Sequence, residues 1–175
     1  NTLSFSKTGV IAGVELEYYG DINFVSTPDG WLIEKNENTI LMVSLDGSDF
    51  KKVHYSGNLK IKSCLVVDWK LNKIQAEVTI IPDYFTLQPA YPNPFNPETT
   101  ITYSLPQDAS VSLIVYDITG RMISELVAPN TYMNAGSYSI EFSARDLSNG
   151  IYFVILKANT GNKKFVSKQK VVLLK

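Results

Sequence analysis

Few side chains in this sequence could do covalent or acid–base chemistry near neutral pH, and their spacing does not favour it. A serine or cysteine nucleophile needs a base within hydrogen-bond reach, most often histidine. The 175 residues contain one histidine and one cysteine. His54, between Val53 and Tyr55 and beside a turn, reads as a surface or half-buried strand residue. Cys64, in the run Leu59 to Val67, reads as a small buried hydrophobe, and alone it forms no internal disulfide. A single His and a single Cys also fail every zinc spacing.

Carboxylates offer a second route to chemistry, through paired acids or hard oxygen ligands. Glu15 and Glu17 point the same way along one strand, but they flank apolar partners as a solvated face would. Asp46-Gly47-Ser48-Asp49 packs oxygens into a tight loop, yet a calcium loop of the EF kind needs more acids and a distal Glu, so a hairpin turn is the reading. Trp31, Trp69, Tyr18 and Tyr19 could stack on sugars; core packing is the reading for both tryptophans. The expectation is a protein with no catalytic residue, no cofactor and no metal.

The elements that would carry these residues are strands. An apolar fraction of 45% and an aromatic fraction of 11%, with ten Tyr and eight Phe, describe a chain that buries cores and favours extended backbone. Val14, Leu16 and Tyr18 alternate with Glu15, Glu17 and Tyr19; Leu59 and Ile61 alternate with Lys60 and Lys62; Ile74, Ala76, Val78 and Ile80 alternate with Gln75, Glu77 and Thr79. Tyr19-Gly20-Asp21, Pro28-Asp29-Gly30, Asp46-Gly47-Ser48 and Ser56-Gly57-Asn58 carry turn chemistry between the runs. No dozen residues show a helical stripe.

Five of the eight prolines fall between Pro82 and Pro97, which predicts a stiff, extended segment, with Tyr91 and Phe95 packed down onto the second half of the chain. Beyond it, six or seven alternating runs in under 90 residues match an immunoglobulin-like sandwich, among them Ile101 to Leu105, Val111 to Val115, Met122 to Val127 and Phe165 to Leu174. The predicted fold class is all-β, with two tandem antiparallel β-sandwiches: a module over residues 1–83, a Pro-rich lead-in over 84–97 and a second sandwich over 98–175.

Several blocks of this second half resemble one family in order and spacing. Tyr91-Pro92-Asn93-Pro94-Phe95-Asn96-Pro97-Glu98-Thr99-Thr100-Ile101 is similar to the opening signature of type A C-terminal sorting domains of the type IX secretion system. Val115 to Arg121, Asn134 to Tyr138 and Leu147 to Phe153 resemble its later blocks, and Lys168 to Lys175 resembles its basic, apolar, Lys-terminated tail. The signature residues are Tyr91, Pro92, Asn93, Pro94, Phe95, Asn96, Pro97, Gly120, Arg121, Gly150, Tyr152, Lys170 and Lys175. The resemblance implies export across the outer membrane of Bacteroidota-like bacteria, recognition by the outer-membrane secretion machinery, and attachment of cargo to surface lipopolysaccharide, commonly after the domain is cut off.

The first half resembles short cohesin-like sandwich modules through Val10 to Leu16, Ile40 to Gly47 and Ser56 to Ile61. It is shorter than cohesins proper, so the resemblance carries the fold and not dockerin binding.

Net charge is −1 with basic and acidic residues interspersed, which gives no nucleic-acid footprint. No apolar run approaches the ~20 residues that span a bilayer as a helix. The opening Asn1 fits removal of a signal peptide or a fragment of a longer chain. Three functions stand as expectations: an exported surface protein whose first module is structural or adhesive, a fibre or sheath subunit that self-associates by strand complementation, and a carbohydrate-binding module. Lys163, Lys164, Lys168, Lys170 and Lys175 fit edge protection, or contact with an anionic partner.

Overall fold

The alternation carries through to the structure. The computed structural model describes residues 1–7 and 9–175, and every regular element in them is a strand: β1 (Thr2–Lys7), β2 (Gly13–Phe24), β3 (Trp31–Lys35), β4 (Thr39–Ser44), β5 (Lys52–Val67), β6 (Ala76–Ile81), β7 (Thr86–Leu87), β8 (Glu98–Leu105), β9 (Ala109–Asp117), β10 (Met122–Met133), β11 (Gly136–Ser143), β12 (Gly150–Asn159) and β13 (Lys164–Leu173). Contacts divide the chain into two units, Asn1–Ile80 and Ile81–Lys175.

The first unit is one six-stranded sheet in the order β3-β4-β2-β5-β1-β6. Its strands bury one face by period two: Val14, Leu16 and Tyr18 from β2, Ile40 and Met42 from β4, Leu59 and Val66 from β5. The sheet curls so that distant strands meet across this core. Phe50 sets its ring 5.1 Å from Phe5 of β1 and 4.4 Å from Trp31 of β3, both edge to face.

Two expected turns are not turns. Gly20 and Gly57 lie inside β2 and β5, with Gly20 opposite Leu59 and Ile22 opposite Gly57. Their φ angles are 98° and 113°, and a Cβ on either would collide with the facing backbone, at Asn58 and Asp21 respectively. Glycine here permits two long strands to approach and bend, which looks in sequence like a hairpin loop. Trp69 is a second departure: it is 54% exposed because it follows the end of β5 in a turn, whereas Trp31 is buried with its Nε1 donating to Ser48 O at 3.0 Å.

The second unit is a sandwich of a four-stranded sheet, β10-β9-β12-β13, and a three-stranded sheet, β11-β8-β7. Between them pack Ile101, Tyr103 and Leu105 of β8, Val111, Leu113 and Val115 of β9, Val154 and Leu156 of β12, and Val171 and Leu173 of β13. The run predicted over Met122 to Val127 continues to Met133, with register shifts around Pro129. An edge strand tolerates the missing N–H.

Candidate sorting surface at the C-terminal strand

β13 is an edge strand, paired on one side with β12 from Lys164 opposite Asn159 to Leu173 opposite Gly150. The predicted signature covers the other side of its final stretch. Asn93 Oδ1 accepts from Val172 N at 2.9 Å, and its Nδ2 donates to Lys170 O at 3.0 Å. Phe95 continues the line: its N–H donates to Val172 O at 2.9 Å and its carbonyl accepts from Leu174 N at 3.0 Å. One amide side chain and one backbone unit thus satisfy the edge over Lys170 to Leu174. Further back, the Gln169 amide satisfies Gln88 O at 2.8 Å and the Ala90 N–H when its nitrogen faces the carbonyl.

The proline-rich segment achieves this by bending, not by running straight. The peptide bonds before Pro92, Pro94 and Pro97 are cis, residues 92–94 are bends, and Thr99 Oγ1 closes the loop by donating to Pro92 O at 2.7 Å. Tyr91 pairs with Thr100 through its backbone. The expectation that both rings pack down holds for Phe95 alone, which is 2% exposed and 5.8 Å from the Phe142 ring. Tyr91 is 81% exposed: its backbone is held and its side chain turned to solvent. Pro92, Asn93, Pro94 and Asn96 are exposed, and Pro97 is half-buried with its carbonyl accepting from Ala144 N at 2.9 Å.

The remaining signature residues gather at the same end of the sheet. Tyr152 of β12 lies opposite both Val171 and Asp117, is buried, and donates its hydroxyl to Ser148 O at 2.7 Å. Asp117, Arg121, Asp146, Gly150 and Tyr152 line one cleft of about 330 Å³. Gly120 sits in the β9–β10 turn at φ 84°. That turn is built around the Asp117 carboxylate, which accepts from Thr119 Oγ1 at 2.6 Å, Thr119 N at 2.9 Å, Arg121 N at 3.0 Å and Arg121 Nε at 3.0 Å. The Thr119 hydroxyl, followed by the Arg121 and Thr119 amides, holds the Asp117 carboxyl down at about 2. Lys175 ties tail and cleft together: its N–H donates to Asn149 Oδ1 at 2.8 Å, and its Nζ donates to Arg145 O at 2.5 Å and Leu147 O at 2.7 Å.

Three roles escape a reading of residue types. Thr99, Asn149 and Gln169 are ordinary polar positions in sequence, and only the contacts with Pro92, Lys175 and Gln88 give them work. The last strand is covered on one face only. Val171 and Leu173 are fully buried, but Val166 and Leu174 are 63% and 54% exposed, because a sheet edge covers one face and not both.

The chemistry-bearing residues of the first unit stay apart. His54 Nδ1 shares a hydrogen bond with Thr2 Oγ1 at 2.9 Å. Burial pushes the Cys64 thiol up to about 11. Glu17 pairs with Lys62 at 2.8 Å, Asp49 pairs with Lys7, and Asp46 accepts from Ser48 N at 2.8 Å within its own turn. Among the described residues no group of three His, Cys, Asp or Glu converges as a metal site would.

The second unit is thus a seven-stranded sandwich whose lead-in holds the free edge of its last strand. Residues 89–172 match the family of secretion system C-terminal sorting domains, and this part of the chain is a sorting domain of the type IX secretion system. No curated protein matches the chain. A type IX sorting domain marks a secreted protein, exported by that machinery to the cell surface or the extracellular space.

Proposed function

We propose that the first unit is cargo carried to the cell surface by the sorting domain, where it serves as a structural or adhesion module and not as an enzyme. The observation that carries this reading is the dispersal of its reactive groups: His54, Cys64 and the loop aspartates each answer to a separate local partner or none, and no two of them face each other across a cleft. The attachment implied by the family resemblance, to surface lipopolysaccharide, agrees with the exposed lysines of β13, Lys164, Lys168 and Lys170, and with exposed Lys175 just beyond it. Assembly by strand exchange through the tail has less support, because a foreign strand would first have to displace Asn93 and Phe95 from the edge of β13. A sugar platform has less support too, since Trp69 stands among apolar side chains.

The test is expression of the full chain in type IX-competent cells and in cells lacking the secretion pore, read by surface protease accessibility and by mass spectrometry of the extracellular form. Export in the first strain and retention in the second supports the reading. A mass ending near Asp83 reports removal of the sorting domain, and a diffuse increase in mass reports lipopolysaccharide attachment. Hydrolytic activity against glycans or peptides in the exported material would overturn the non-enzymatic part.

A further inference from the structure

The first unit carries an apolar groove on the outward side of its sheet. One row across the strands there reads Leu32, Val43, Gly13, Val67, and the next reads Glu34, Leu41, Glu15, Leu65. Gly13 leaves the floor open, since a Cβ there would press on Val67 Cγ2 at 3.1 Å. Trp69 and Leu71 overhang one side from a turn that the Asp68 carboxylate fixes by accepting from Lys70 N at 2.8 Å and Asn72 N at 2.9 Å. The groove holds about 260 Å³. Leu32, Leu41, Leu65, Trp69 and Leu71 are 37 to 80% exposed. Large apolar side chains contiguous on one sheet face mark an interaction surface more often than a wetted one. Glu15 and Glu34, set among these leucines, have no ion-pair partner among the described residues.

The outward face of the second unit has the opposite charge on the same kind of ground. Ile114, Ile155 and Lys168 form one row across β9, β12 and β13, and Tyr116, Phe153 and Lys170 form the next. Ile151 and Val166 on this face are 41% and 63% exposed. Lys157 and Lys168 also have no acidic partner among the described residues.

We propose that the groove of the first unit docks the outward β12–β13 face of a second copy of this chain, with Glu15 and Glu34 meeting Lys157 and Lys168. The spacing agrees. Glu15 and Glu34 stand two strands apart, about 10 Å at ~4.8 Å per strand, and Lys157 and Lys168 stand one strand and two residues apart, about 8 Å by the same dimensions. Leucines and isoleucines fill the intervals on each side. Because the two surfaces differ, the contact is heterologous, and repeated from copy to copy it builds oligomers. Each face covers only on the order of a few hundred Å², below the ~800 Å² per partner of a standard interface. Association is therefore weak per contact and sensitive to concentration and salt. It does not depend on the sorting assignment, and it leaves the Asn93–β13 edge intact.

Sedimentation velocity of the full chain tests it, from about 10 µM to about 1 mM, the range that weak contacts occupy, at low and high salt. The wild-type chain should grow from monomer into oligomers, less so at high salt. E15K/E34K and K157E/K168E should each weaken association by about tenfold or more. Mixed in equal amounts, the two variants should assemble again, since each groove then meets the other's oppositely charged face; that rescue also shows that both variants are folded. A monomeric wild type throughout would overturn the proposal. So would K157E/K168E associating like wild type, which would indicate pairing of groove with groove. Lys157 lies outside the blocks that resemble the sorting family, while Lys168 lies within the tail block, so association is read on purified protein and an altered export level is a separate result.

Discussion

The Asn93 side chain stands in for a neighbouring strand beside Val172, accepting its N–H at 2.9 Å across 79 positions of sequence while donating to Lys170 O at 3.0 Å. An asparagine amide has the donor and acceptor of a peptide group on one short stem, so it can close an edge without adding a strand. The end of the chain is thereby held in one register by the start of its own domain.

Asn93→Ala removes that closure and leaves both backbone groups to water. These bonds are solvent-accessible, so the expected loss is about 1 kcal/mol, seen by hydrogen exchange as roughly fivefold faster exchange at the Val172 amide, with β8 and β9 amides unaffected. An unchanged Val172 rate would show that the amide contact contributes nothing.

Phe95 and Tyr91 separate folding from recognition. Phe95→Ala empties a fully packed site beside Phe142 and should cost roughly 3 to 5 kcal/mol, lowering the second unit's calorimetric transition by well over 10 °C at roughly 4 to 8 °C per kcal/mol for a domain of this size. Tyr91→Ala, at a ring 81% exposed, should stay within about 0.5 kcal/mol of wild type. A drop in export for Tyr91→Ala at unchanged stability would assign the ring to contact with the machinery.

How much of this was legible in sequence depends on the range of the interaction. Period-two alternation is local, so strands such as Val111 to Val115 and Ile101 to Leu105 can be read directly from it. The curl of the first sheet around Phe50, and the use of Gly20 and Gly57 for close approach, depend on which strands become partners, and local composition gives the same signal for a turn. The signature residues were legible as a family pattern. Their convergence was not: Asn93 meets Lys170 only because the lead-in folds onto the free edge of β13, and Lys175 meets Asn149 only through the pairing of β12 with β13. The exposure of Tyr91 was also hidden, because an aromatic ring in a proline-rich run is compatible with either side of the backbone.

Acid should open the β9–β10 turn in a narrow range. The Asp117 carboxyl lies at about 2 in the folded chain, below its ordinary value of 3.8, so its ionised form favours the folded turn. A depressed carboxylate gives a contribution that is complete above the unfolded value and is lost as pH falls through the folded one, here between about pH 4 and pH 2. The Thr119 and Arg121 amide resonances should titrate together with a midpoint of about 2, and Asp117→Ala should abolish that step and fray the turn at all pH. A midpoint near 4 would mean that the hydrogen bonds to Thr119 and Arg121 do not form in solution.

The tail itself offers the most demanding test, because it serves the fold and the export signal with the same residues. Deleting Val171 to Lys175 removes two fully buried side chains, Val171 and Leu173, the Val172 N–H that Asn93 accepts and the Val172 and Leu174 groups that meet Phe95, and the Lys175 contacts to Arg145 and Leu147. Both the sandwich and the export of the chain should fail, which leaves the two losses confounded. Lys175→Ala separates them. It keeps the buried residues and the whole β13 edge and frees only two carbonyls at the rim of the cleft, so the melting temperature should move by no more than a few degrees at about 1 kcal/mol. If the machinery reads the end of the chain as it is presented here, export of Lys175→Ala should still fall several-fold, with the protein accumulating inside the outer membrane. If Lys175→Ala were exported normally while the deletion was not, the tail would act through the fold of the domain alone. If the deletion itself reached the surface in normal amounts, β13 would not be part of the signal at all.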